Sequence, residues 1–137
     1  MRTFFDSSAL TKLYIEESGS EETTQAIVGA TEVGLSELCI PEVISALNRN
    51  RREGRLDDER YEMVKGRFLE DVADAGVLAL TRSIIDECVL LLENTPLRAS
   101  DAVHVASAID WECDLFVSGD VQQIAAAKKA GVNAHKV

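Results

Sequence analysis

Apolar residues along this chain change their spacing again and again. Short runs with the character of buried strands give way to longer stretches in which apolar positions recur every three or four residues. Residues 2–5 read as a short buried strand that ends at Asp6. Ser7 or Ser8 can cap a helix over 8–17, with Leu10, Leu13 and Tyr14 on one face. Ser18-Gly19-Ser20 interrupts it, a second helix covers about 21–30, and a strand follows near 33–35. Pro41 suits the first turn of a helix over 40–53, which Gly54 ends. Asp57 opens a helix that runs to about Ala75, and Gly76 ends it. Residues 77–80 read as a strand, and Ser83 caps a helix to Asn94 that Pro96 prevents from continuing. Ser100 starts a helix over 100–112, then come a strand at 114–117, a helix at 120–130 closed by Gly131, and a last strand at 132–136.

Strands that alternate with helices imply an α/β fold: a three-layer α/β/α sandwich around a central, mostly parallel sheet. No repeat, low-complexity stretch or linker divides the chain, so residues 1–137 are expected to form one domain. In sheets of this kind, sites form beyond the carboxyl ends of the strands.

Composition narrows the function classes. Hydrophobic residues make up 46% of the chain, enough for a sizeable core, and no apolar run reaches membrane-spanning length. The N-terminus meets an acid at Asp6, too early for a secretory signal, so a cytoplasmic location is expected. Cys39, Cys88 and Cys113 are widely spaced and suggest neither a disulfide framework nor a zinc site. The formal net charge of −10 argues against a protein that coats nucleic acid generally. It leaves room for a nuclease with a metal and one local basic strip, and it suits a partner that brings positive charge.

Asp and Glu occupy 24 of the 137 positions, so acids as such carry little information; their placement carries more. Asp6, Glu42, Asp101 and Asp120 each follow an expected strand or open an expected helix. Taken singly, each has a plain explanation as a helix cap or a complement to a helix dipole. Together they mark elements whose ends a parallel sheet would gather. Two carboxylates about 4 Å apart repel by roughly 4 kcal/mol at an effective dielectric of 20. Three or four need protonation or a cation, and an all-carboxylate set favours Mg²⁺ or Mn²⁺. The chemistry that follows is phosphoryl transfer, with a metal-activated water attacking a phosphodiester. Ser8 could orient a ligand at that site. Arg49 lies seven residues beyond Glu42, nearly on the same helix face and roughly 10 Å along the axis. With Arg51, Arg52 and Arg55 it forms the one dense basic stretch, which a substrate backbone could track. His104, one turn after Asp101, reads as a core or supporting residue.

At these residues the chain resembles the PIN-domain family, in particular its VapC-like toxins. The resemblance rests on Phe5 through Tyr14, on Ser36 through Glu42 to Leu47 and Arg49, on Leu97 through Ala108, and on Leu115 through Asp120. It implies a Mg²⁺-dependent endoribonuclease, with Mn²⁺ as a possible substitute, in which Asp6, Glu42, Asp101 and Asp120 take the catalytic and metal positions. Ser8 takes the nearby hydroxyl position. It also implies an RNA substrate, a small antitoxin partner and a homodimer. Two positions depart from the family pattern: Ser118 stands where Thr is common, and Val121-Gln122-Gln123 lacks a basic residue after the last acid. Ile124 occupies the area where some members carry a further acid. Two other classes fit parts of the pattern. A receiver-type phosphoacceptor domain also joins a parallel sheet to an acidic pocket, and a non-catalytic PIN-like module would only bind a partner.

Overall fold

The computed structural model describes all 137 residues. Its strands are β1 (Arg2–Phe5), β2 (Glu32–Ser36), β3 (Gly76–Leu78), β4 (Leu115–Ser118) and β5 (Ala134–Lys136). Its helices are α1 (Ser7–Tyr14), α2 (Ser20–Gly29), α3 (Cys39–Arg52), α4 (Asp58–Ala73), α5 (Arg82–Asn94), α6 (Ala99–Asp110) and α7 (Val121–Lys129). All five strands pair in parallel, in the order β3-β2-β1-β4-β5. The chain therefore builds outward from β1 in one direction and then, through β4, in the other. The crevice at the carboxyl ends of β1 and β4 is the topological switch point. This order differs from the 2-1-3-4-5 order of receiver domains and removes that class.

The sheet divides the core in two. Successive strand residues point to opposite faces, so the adjacent Phe4 and Phe5, both fully buried, enter different clusters. Phe4 and Phe116 pack with Ile84, Leu91 and Val105 beneath α5, α6 and α7. Phe5 and Val117 pack with Leu10, Val43, Leu47 and Phe68 beneath α1, α3 and α4. The three-layer α/β/α sandwich expected from the sequence is thus the observed architecture. Gly34 lets β2 accept the ring of Trp111, since an added Cβ would stand 2.6 Å from that ring.

Local signals set most helix ends. Asp57 caps α4 by accepting from the Arg60 amide at 2.7 Å. Gly54 and Gly131 take φ of +79° and +86° just beyond α3 and α7, the left-handed conformation that glycine adopts at low cost. Two caps differ from expectation. Asp6, not Ser7 or Ser8, caps α1, because its carboxylate is the stronger acceptor for the Ala9 amide at 2.9 Å. Thr81 caps α5 through the Ile84 amide, while Ser83 turns away to bond Asp110. No helix is long and apolar enough to cross a membrane.

Candidate functional site

Asp6 follows β1 directly and is 1% exposed, as buried as any core residue. The pairing of Phe5 with Val117 brings the next residues of the two strands, Asp6 and Ser118, side by side. Ser118 Oγ donates to Asp6 Oδ2 at 2.8 Å. Ser8 Oγ lies 2.8 Å from both Asp6 oxygens and accepts from the Gly119 amide at 2.9 Å. The carboxylate is thus held by two hydroxyls and one amide, all neutral. Burial pushes the Asp6 carboxyl up from its ordinary range, opposed by His104 and by the bonds from Ala9, Ser8 and Ser118. A fully desolvated carboxylate with neutral donors is a site that gains from a nearby cation.

Two of the other acids connect to this centre through hydrogen bonds, and the third is held by a separate pair. Asp120 caps α7, accepting from the Gln122 and Gln123 amides at 2.7 and 3.2 Å. Its own amide donates to Ser118 Oγ at 2.9 Å, so one hydroxyl links Asp6 to Asp120. Asp101 lies in the first turn of α6 and accepts from Gln123 Nε2 at 3.1 Å. Glu42, in the first turn of α3, is held by His104 Nε2 at 2.5 Å and by Ser7 Oγ at 2.8 Å. The His104 bond is the main reason the Glu42 carboxyl lies below its ordinary range, with Ser7 adding to it. His104 is 2% exposed, so it serves Glu42 from within the core.

Hydrogen bonds link Asp6, Asp120 and Asp101 through Ser118 and Gln123, whereas Glu42 sits in a second set with His104 and Ser7; no three His, Cys, Asp or Glu side chains converge as a ligand set. Each carboxylate is engaged by protein donors instead. The donor chemistry still suits a hard divalent cation: the groups are carboxylate and hydroxyl oxygens, with no thiolate among them. To hold a cation jointly, Glu42 would turn from His104 and Asp101 from Gln123.

A cleft of about 470 Å³ opens beside Ser8 and Gly119, lined also by Thr11, Lys12, Arg49 and Arg55. Arg49 thus shares a cleft with Ser8, the partner of Asp6, and with the acids Glu16 and Glu17. The basic stretch does not act as a whole. Arg51 lies over the Tyr61 ring at 4.2 Å and pairs with Asp58, and Arg55 pairs with Glu53. A separate apolar groove of about 370 Å³, with Leu10, Tyr14, Ile27 and Phe68 in its walls, lies away from the acids.

Sequence reasoning passed over three contributors. Ser7 was weighed only as a cap. Ser118 became a partner of Asp6 only through the β1–β4 register. Gln123 carried a local signal, since Asp120-Val121-Gln122-Gln123 has the spacing of a capping box.

The PIN domain family model matches residues 3–129. Ribonuclease VapC49 of Mycobacterium tuberculosis (strain H37Rv) is 30% identical over 106 residues, covering 77% of this chain and 74% of that protein. Among solved structures, the Mycobacterium tuberculosis VapC20, a sarcin–ricin loop cleaving toxin, superimposes with a TM-score of 0.70 at 16% identity, over 90% of this chain and 94% of that one. A toxin–antitoxin complex from Klebsiella pneumoniae superimposes with a TM-score of 0.69 at 18% identity, over 90% of both chains.

Proposed function

The chain belongs to the PIN domain family, and we propose that it is an endoribonuclease toxin that depends on a divalent metal, with Mg²⁺ the first candidate and Mn²⁺ a substitute. The single observation that carries this reading is Asp6, a fully buried carboxylate at the β1–β4 switch point whose only close donors are neutral. The relatives named as ribonucleases support the reaction class. The toxin–antitoxin complex among the structural neighbours supports an antitoxin as partner. With no membrane-crossing helix, a cytoplasmic setting fits both RNA and such a partner.

Asp6, Asp101, Asp120 and Glu42 would hold the cation. When bound, it supplies an activated water and relief of charge on the scissile phosphate. The chain's own groups do the positioning. Ser8 and Ser118 fix both oxygens of Asp6. His104 and Ser7 hold the half-exposed Glu42, which would release His104 to reach the cation. Arg49, beside Ser8 in the adjoining cleft, takes a backbone phosphate. Ile85, Val89 and Leu92 form an exposed apolar stripe on α5 that suits a homodimer, which light scattering would test.

The test is cleavage of a fluorescent single-stranded RNA and of a total tRNA pool by protein freed of any partner. Mg²⁺, Mn²⁺ and a chelator are compared, with Asp101→Asn alongside. Cleavage that needs metal and is absent from the variant is the expected result. Equal behaviour of wild type and variant rejects the site. Metal-independent RNA binding with no cleavage of any RNA would favour a binding module.

A further inference from the structure

Positive charge is scarce in this chain and gathered in one place. Seven of its 14 Lys and Arg residues lie between Arg49 and Arg67, on α3, α4 and the turn that joins them. Three of the seven are neutralised, Arg51 by Asp58, Arg55 by Glu53 and Lys65 by Glu62. Arg49, Arg60 and Arg67 are exposed and form no ion pair, in a chain that holds 24 acids. Arg60 and Arg67 stand seven residues apart on α4, on one face and roughly 10 Å apart along the axis. Met63, 64% exposed, lies between them. These three line a second cleft of about 530 Å³, with Tyr14 of α1 in its wall. Lys12 and Glu16 line both this cleft and the one beside Ser8, so the two adjoin along α1.

We propose that the RNA path continues from the acidic site into this second cleft. Phosphates that flank the scissile bond pass Arg49 and lie on Arg60 and Arg67, while Met63 and Tyr14 offer apolar surface to unstacked bases. The inference rests on the ribonuclease reading given above. Cations set along a groove, with aromatic or apolar side chains among them, hold a single strand without reading its sequence. Across the joined clefts five cations, Lys12, Arg49, Arg55, Arg60 and Arg67, face three acids, Glu16, Glu17 and Glu21. That surplus is local in a chain of net charge −10, so a polyanion is drawn to this face and repelled elsewhere. The path begins beside the acids. Ser8 Oγ bonds Asp6, and Gly119, which precedes Asp120, leaves room for the Lys12 stem, since an added Cβ would stand 3.1 Å from Lys12 Cε. Lys12 Nζ is itself tied to the Ser18 carbonyl at 2.6 Å and to Glu17 at 3.4 Å. It marks the junction, and the unpaired arginines lie to either side of it, Arg49 in the first cleft and Arg60 and Arg67 in the second.

The experiment compares partner-free wild type with the double variant Arg60→Gln, Arg67→Gln and with a control, Arg82→Gln, Lys128→Gln. The control removes the same charge from exposed positions on α5 and α7, across the sheet. Gln keeps a helix propensity close to that of Arg and Lys, so each variant is expected to fold. Fluorescence anisotropy follows a single-stranded RNA of about 12 nucleotides in chelator, over a range of salt. The Arg60, Arg67 variant is expected to bind about 10-fold more weakly at low salt, with a salt slope lower by about 1.4, the share of two phosphates on a single strand. The control is expected to bind within twofold of wild type. In MnCl₂ the Arg60, Arg67 variant is expected to raise KM and leave kcat unchanged, because these contacts lie away from the reacting phosphate. RNA affinity of that variant within twofold of wild type overturns the inference, leaves the ribonuclease reading intact and frees this face for a protein partner. An equal loss in the control also overturns it, since the effect then belongs to net charge and not to the cleft. If wild type neither binds nor cuts RNA, the ribonuclease reading falls and this inference with it.

Discussion

Replacing Asp6 by Asn separates the two roles an acid can play in a core. The wild-type carboxylate accepts from Ser8, Ser118 and Ala9 while 1% exposed. Asn keeps an oxygen for the Ala9 amide and for Ser8, so the α1 cap survives. It puts an NH₂ where Oδ2 accepted from Ser118, and one hydrogen bond to a charged group is lost, costing about 1.5–3 kcal/mol. Against this, a full charge no longer has to be desolvated, a penalty of several kcal/mol for a buried ion. Burial is the largest influence on this carboxyl and raises it, so desolvation outweighs its hydrogen bonds. The net expectation in chelator is a variant between equally stable and about 2 kcal/mol more stable than wild type. For a domain of this size that is a rise in Tm of zero to roughly 6 °C. With Mn²⁺ present the order reverses: cation at about a hundred times its Kd stabilises the wild type by about 2.7 kcal/mol, and the variant gains nothing. Thermal melts in chelator and in MnCl₂, with RNA cleavage on the same samples, read all three quantities. A loss of more than about 2 kcal/mol in chelator would refute the desolvation argument and make Asp6 a structural acid. A variant still stabilised by Mn²⁺ would remove Asp6 from the metal site.

Gly34→Ala should cost about 1–3 kcal/mol, because the new Cβ would stand 2.6 Å from the Trp111 ring, and urea unfolding measures it; a neutral effect would mean that the ring can move freely. Burial pushes the Cys39 thiol from 9.0 up to about 12, so the unfolded chain ionises first and stability, intact below about pH 9, falls as pH rises through 9–12. The full window corresponds to about 4 kcal/mol at most, and Cys39→Ala should flatten the fall of the urea midpoint between pH 8 and 11; parallel curves would contradict the assignment. Tyr14, raised by burial and by its bond to Asp71, contributes a loss of the same sign, which Tyr14→Phe should reduce in the same titration. Arg49→Ala should weaken RNA binding similarly across sequences and lower the salt slope by about one, leaving Mn²⁺ affinity unchanged; unaltered binding would take Arg49 out of the substrate path.

Much of the fold could be read from short-range pattern. The alternation of periods placed every strand and helix, and glycines such as Gly54 and Gly131 marked ends the backbone confirms. Errors fell where two nearby groups compete for one amide. Asp6 won the α1 cap from Ser7 and Ser8, and Thr81 won the α5 cap from Ser83, which found Asp110 across the fold instead. The basic stretch at 49–55 looked uniform because sequence does not show that Tyr61 would draw Arg51 away.

By itself the sequence determined the class of fold and put acids at the ends of its elements, because helix period, strand period and capping act over a few residues. Tertiary structure decided which of those ends meet. The order β3-β2-β1-β4-β5 makes β1 and β4 neighbours, and their register sets Ser118 against Asp6 across 112 residues of chain. Packing of α6 against the sheet brings His104 to Glu42, 62 residues away, and Asp101 to Gln123, 22 residues away. Such contacts depend on strand register and helix packing, which arise from burying two cores on either side of one sheet and leave no periodic trace in the chain.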